Sequence, residues 1–245
     1  GGAVELGEPR AERGGPPPDA GVEVRVEQLF VRITPTTRAD LHAQAGKFIS
    51  PFGNYPGRSH SPADPFIRPP VNYDYRTVIS GRHVPLATAG FLGWKDDESS
   101  FRALGAPVVW AVPYQIGAMA FGSIARVAYR VGVMNSAPSS EPSQWNRWFD
   151  DVGPSYVGNA SIQLSPELRI GASYNRGPYL DPEVQDSLPD DTIDAFDQEI
   201  IGIEMTATRG LFELRGELLF DRWEVPRITG DPRAVSYYAE LKYKL

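Results

Sequence analysis

The stretch "ASIQLSPELRIGASYN", Ala160 to Asn175, alternates apolar and polar residues in two runs folded back at Ser165-Pro166-Glu167. Successive side chains of a strand point to opposite faces. In the first arm Tyr156, Gly158, Ala160, Ile162 and Leu164 therefore share one side, and Val157, Asn159, Ser161 and Gln163 the other. The second arm repeats the division, with Leu168, Ile170, Ala172 and Tyr174 against Arg169, Gly171, Ser173 and Asn175. A soluble sandwich would bury the apolar stripe, whereas a transmembrane barrel would turn it to lipid and wet the polar one. The hairpin alone admits both.

Bulk properties narrow little. The 245 residues suffice for one large all-β domain, and 41% hydrophobic with 22% charged residues is ordinary for a folded chain. No run reaches the roughly 18 apolar residues of a spanning helix, but barrel strands need only about 9 to 11. Cysteine is absent, which excludes disulfides and thiolate metal sites, and the net charge of −7 argues against nucleic acid as a partner. Residues 1–21, rich in Gly, Pro and charge, read as loop or linker. Nothing near Gly1 has the layout of a signal peptide.

Seven of nine candidate strands keep a period of two. Val127, Tyr129, Val131 and Val133 oppose Arg126, Ala128, Arg130 and Gly132, and Ile201, Ile203, Met205 and Ala207 oppose Gly202, Glu204, Thr206 and Thr208. Phe212, Leu214, Leu218 and Phe220 oppose Glu213, Arg215 and Glu217; Val235, Tyr237, Ala239, Leu241, Tyr243 and Leu245 oppose Ser236, Tyr238, Glu240, Lys242 and Lys244. A weaker strand over 114–122 puts Ile116, Ala118 and Ala120 on one side. Two segments are irregular. The phase changes after Val22, Val24 and Val26, which predicts a bulge near Gln28. Lys47 follows Leu41, Ala43 and Ala45 in phase. A lipid-facing Lys at mid-depth costs about 2 to 4 kcal/mol, so Lys47 should lie at a rim or follow a slip at Gly46.

The connections alternate: short at 34–39, 122–124, 165–167 and 209–210, long at 50–113, 136–154, 178–197 and 222–233. Up-and-down barrels of bacterial outer membranes have short periplasmic turns and long extracellular loops; a Greek-key sandwich has no reason for this. Tyr156, Tyr174, Trp223 and Tyr237 stand at long-loop ends of their strands and Tyr243 at the opposite rim, where interfacial aromatics collect. Arg126, Arg130, Arg169, Glu204, Glu213, Arg215, Glu217, Lys242 and Lys244 fall on polar faces, the expected lining of a wet lumen. For any one of Glu213, Arg215 and Glu217, neutralisation by a neighbour across strands is the simpler role. The expected fold is thus all-β, an up-and-down antiparallel transmembrane barrel over 22–245. Nine strands is an odd number where such barrels are even, so the reading expects further strands beyond both ends and residues 1–21 as the end of an extracellular loop.

"AGKFISPFGNYPGR" (Ala45 to Arg58), "DPFIRPPVNYDYRT" (Asp64 to Thr77) and the strand order down to "YYAELKYKL" (Tyr237 to Leu245) resemble bacterial outer-membrane porins of the phosphate-selective type. The resemblance runs from about Val22 onward and implies a portion of a larger barrel, roughly 16-stranded. It also implies the outer membrane of a Gram-negative bacterium as the location, passive diffusion of small hydrophilic solutes or ions as the activity, and contact with lipid and lipopolysaccharide. Homotrimerisation and the transported solute stay open. A closing strand with a terminal aromatic residue and a Lys-rich run are both missing. Taken as a porin, Ser50–Pro113 is the constriction loop, where Arg58, Arg68, Arg76 and Arg82 with His60 and His83 would favour anions. Solvation of an outer loop, or acidic lipopolysaccharide groups, would account for the same arginines.

Catalytic patterns are missing: no G-x-S-x-G, H-E-x-x-H, P-loop or G-x-G-x-x-G occurs. His42, His60 and His83 are too scattered for a metal centre, and Asp190, Asp191, Asp194, Asp197 and Glu199 lack the EF-hand spacing for Ca²⁺. The reading is of a protein that is not an enzyme and needs no cofactor. Two alternatives stand beside the channel. One is a soluble extracellular β-sandwich that stacks carbohydrate on Trp145, Trp148 and Tyr179; the other is a barrel serving as a sleeve for a partner protein.

Overall fold

The computed structural model describes residues 2–7, 23–35, 40–58, 68–89, 105–149, 152–188 and 192–244. Among these, ten strands form one sheet whose spatial order is the sequence order. They are β1 (Gly2–Gly7), β2 (Glu23–Ile33), β3 (Asp40–Ile49), β4 (Tyr114–Ile124), β5 (Val127–Met134), β6 (Ser155–Ser165), β7 (Leu168–Pro178), β8 (Asp197–Arg209), β9 (Phe212–Trp223) and β10 (Arg233–Tyr243). Every neighbouring pair is antiparallel. Among the described residues no ladder joins β10 to β1, so the sheet is open.

The expected all-β, up-and-down order is present, with three local corrections. Gly2–Gly7 is a strand rather than loop, because its backbone pairs with β2; the rest of the 1–21 segment, residues 8–21, lies outside the described residues. The β4–β5 turn is Ala125–Arg126 rather than 122–124, since Ser123 still pairs with Asp40 and extends β4. Arg126 is therefore a turn residue and not part of the wall. The bulge expected near Gln28 is found beside it: Ala3 pairs with Gln28 but Val4 with Val26, leaving Glu27 over.

Lys47 stays in register with β4, without a slip at Gly46. Its ammonium reaches the long-loop edge, donating to the Asn146 Oδ1 at 2.7 Å and the Val26 carbonyl at 2.9 Å. Gly46 has φ +132°, and a Cβ there would meet the Leu29 carbonyl oxygen at 2.3 Å, so only glycine lets β2 approach this closely.

The two faces differ as the hairpin pattern predicts. Val31, Leu41, Val131, Ile162, Ile170, Ile203, Leu214 and Leu241 are exposed on the outward side. Among the described residues no second sheet covers them. The hydrophobic core lies on the other side, where Phe48, Met134, Val157, Ile200, Leu219 and Trp223 from the strands meet Phe52, Tyr55, Tyr73, Ile79, Val109, Tyr179 and Leu180 from the long connections. The long connections thus fold inward over the long-loop half of the wall. Its short-turn half keeps Arg169 and Gln163 exposed.

Candidate functional site

The feet of the 50–113 connection are tied together, Ser50 N–H donating to the Pro113 carbonyl at 3.0 Å. From there Pro51–Arg58 runs across the inward face. The backbone N–H of Gly53 donates to Ser173 Oγ at 3.0 Å and that of Asn54 to Glu217 Oε1 at 3.0 Å. The other Glu217 oxygen accepts from the Tyr73 hydroxyl at 2.6 Å, from a single helical turn at Val71–Asp74. Burial pushes the Tyr73 phenol well above its ordinary pKa, and the Glu217 charge adds to the shift, so Tyr73 stays the donor. Gly53 has φ +73°, and a Cβ there would stand 2.4 Å from Tyr73 Oη and 2.9 Å from Glu217 Oε1. The "PFGNY" stretch is the element that seats the loop on the wall.

Past this seat, Arg58 pairs with Glu240 at 2.8 Å and donates to Tyr238 Oη at 3.2 Å, lying 5.2 Å over the Tyr55 ring. Of the described loop arginines it alone lines the cavity described below. Arg76 stacks on Trp110 at 4.1 Å and donates to the Gly105 carbonyl, bracing the two limbs of the loop where Thr77 N–H donates to the Ala106 carbonyl. Arg82 reaches Ser143 Oγ at 3.1 Å and Asp181 at 3.8 Å, linking this loop to two others. Arg68 and His83 are exposed, and His60 lies outside the described residues. The loop arginines do not converge.

The wall charges divide in the same way. Glu217 is 3% exposed beneath the loop, so it does not line open water. Arg215 pairs with Glu213, which also accepts from Lys244 Nζ at 2.9 Å and faces Lys242 across the ladder. Neutralisation across strands thus holds for Glu213, through Lys244, whereas Arg215 is matched within its own strand by Glu213 and Glu217 has Tyr73 and Asn54 as partners instead. Register carries Arg130 onto Asn159, and Arg169 through Thr206 onto Arg215. Asn159 in turn donates to Glu204 Oε1 at 3.1 Å. The result is a cavity of about 270 Å³ between the sheet and the Gly53–Arg58 turn, lined by Arg58, Arg130, Arg169, Arg215, Glu204, Asn159, Ser161 and Thr206.

The expected aromatic belt loses one member. Tyr156, Tyr174, Tyr237 and Tyr243 are exposed on the outward face, but Trp223 is 1% exposed on the inward one, where its indole donates to Ser139 Oγ at 3.3 Å. Its odd number in β9 puts it in phase with Glu213 and Asp221 rather than with Phe212 and Phe220, a signal already in the sequence. Tyr179 is equally buried and donates to the Glu224 carbonyl at 3.2 Å, so it offers no stacking face. Trp145 meets Trp110 edge-on at 5.9 Å, and Trp148 is exposed. In the acidic segment Asp197 pairs with Arg176 at 2.7 Å and Glu199 with Arg222 at 3.3 Å; Asp190 and Asp191 lie outside the described residues.

Sequence reasoning missed the anchors that place the loop: Asn54, Tyr73, Ser173 and Tyr238. It also missed the buried pair on the inward face, where Gln198 donates to Asp221 at 2.8 Å and to the Val108 carbonyl at 2.8 Å. The readable signal was the inward run Glu213, Arg215, Glu217, Leu219, Asp221, Trp223, where Leu219 and Trp223 on an otherwise charged face mark the part of the strand that the loop covers. No protein-family model matches the chain, and no curated protein matches it.

Proposed function

We propose that the sheet is a portion of the wall of an outer-membrane β-barrel, porin-like and roughly 16-stranded in full, that lets small hydrophilic solutes or ions diffuse passively. The single observation that supports this most is the inversion of faces. Large apolar side chains are exposed along one side of β2 to β10, while Ser173, Asn175, Gln198, Glu204, Glu217 and Asp221 are buried on the other. A water-soluble chain would pay about 25 cal/mol for every Å² of apolar surface left wet, whereas a bilayer solvates that surface. Alternating short turns and long connections, and the exposed tyrosines of the outward face, agree with the same reading. The arginines of the cavity favour anions.

Fractionation tests the location. The full-length protein should sediment with outer membranes and need detergent to dissolve; a protein that stays in the soluble fraction rules the reading out. Single-channel recording then tests the activity. A reversal potential under a salt gradient should report anion preference, and the absence of conductance would leave the barrel as a sleeve for a partner rather than a channel.

A further inference from the structure

The charges around the cavity do not cancel. Arg58 is matched by Glu240 and Arg215 by Glu213. Among the described residues the guanidiniums of Arg130 and Arg169 make neither a salt bridge nor a side-chain hydrogen bond, and both residues are exposed. Glu204, on β8 and lining the same cavity, is nine-tenths buried. One of its oxygens accepts from Asn159, and the other, Oε2, has no partner. Two unmatched cations and one half-satisfied carboxylate leave a net charge of +1 at a concave site closed on one side by the Gly53–Arg58 turn.

A simple anion would satisfy the arginines and be repelled by Glu204. A ligand that carries carboxylates together with an ammonium group would satisfy all three. Arginine recognises carboxylates through its planar fork, and a desolvated carboxylate gains most from a charged donor. We infer that the cavity binds small anionic amino acids, with their carboxylates on Arg130 and Arg169 and their ammonium group on Glu204. This rests on the porin reading for its physiological meaning, making such solutes the preferred cargo, but the binding itself does not need a membrane.

The test uses the full-length protein folded in detergent micelles, with isothermal titration of L-glutamate against glutarate, the same dicarboxylate without the ammonium group. Glutarate has one more net negative charge, so a plain anion site would prefer it. The inferred site should bind L-glutamate at least about tenfold more tightly, which corresponds to about 1.4 kcal/mol. Glu204→Gln should erase that preference by weakening glutamate and strengthening glutarate, and Arg130→Ala with Arg169→Ala should abolish both. Equal or tighter binding of glutarate, or no saturable binding of either, overturns the inference on the unaltered protein, whether or not the variants fold. Failure here leaves fractionation and conductance untouched, so it is distinguishable from failure of the channel reading.

Discussion

Tyr73 and Glu217, 144 residues apart in the chain, meet at 2.6 Å on the inward face of the sheet. That hydrogen bond and the one from Asn54 to the same carboxylate fix where the longest connection lies. Removing the hydroxyl by Tyr73→Phe leaves a buried carboxylate oxygen without its donor, which costs about 1 to 3 kcal/mol. A double-mutant cycle with Glu217→Gln should return a coupling energy of about 0.5 to 3 kcal/mol. Additive losses in denaturant unfolding would mean that the two side chains act independently.

Gly53 is the second point of attachment. Gly53→Ala must either strain a left-handed backbone or push the new methyl into Tyr73 and Glu217, so the loop should lift off the wall. The expected loss is about 1 to 3 kcal/mol, read as faster proteolytic cleavage within 50–58 while the strands remain protected. Unchanged cleavage would show that the loop is held elsewhere.

The outward stripe makes a prediction that separates lipid from water. Ile203 is 47% exposed in the middle of β8. In water, Ile203→Arg should be close to neutral, as substitutions of exposed residues usually are. Facing the bilayer midplane it should cost about 2 to 4 kcal/mol, measured by unfolding from lipid vesicles. A neutral result there would remove the main support for the membrane reading.

Glu141, in the long connection between β5 and β6, has its carboxyl raised above the ordinary value by burial, with the Arg82 and Arg76 guanidiniums opposing the shift and Asp181 adding to it. A raised carboxyl favours the protonated form in the folded state. Its stabilising contribution is complete below the unfolded value near 4.5 and is lost as pH climbs through the raised folded value. Protection of the 135–154 segment from protease should therefore fall with rising pH across that interval. Glu141→Gln should flatten the profile; an unaltered profile would assign it to another group.

Period-two alternation made the fold legible, because one face of most strands is predominantly apolar and a shift of one residue would exchange the faces. The turn positions were legible where Pro166 or Gly210 marks them, and misplaced at Gly122-Ser123, whose composition suggests a turn although cross-strand pairing with β3 carries β4 to Ile124. β1 escaped notice because six residues beside a Gly- and Pro-rich run carry too little alternation to stand out. Most of the lining could be read: Arg130, Asn159, Ser161, Arg169, Glu204, Thr206 and Arg215 fall on polar faces from phase alone. Which wall charges stay open and which are covered depends on a loop whose seat is made by residues far apart in sequence. Nothing local at Tyr73 announces its meeting with Glu217.

The unequal filling of the two halves has an electrical consequence. Apolar side chains pack the half toward the long connections, while Arg169, which has no salt bridge among the described residues, stands beside the Pro166–Glu167 turn. Fixed positive charge is then distributed asymmetrically along any conduction path through this wall. Ionic current through such a path should rectify, carrying more at one polarity than at the other at equal voltage and symmetric salt.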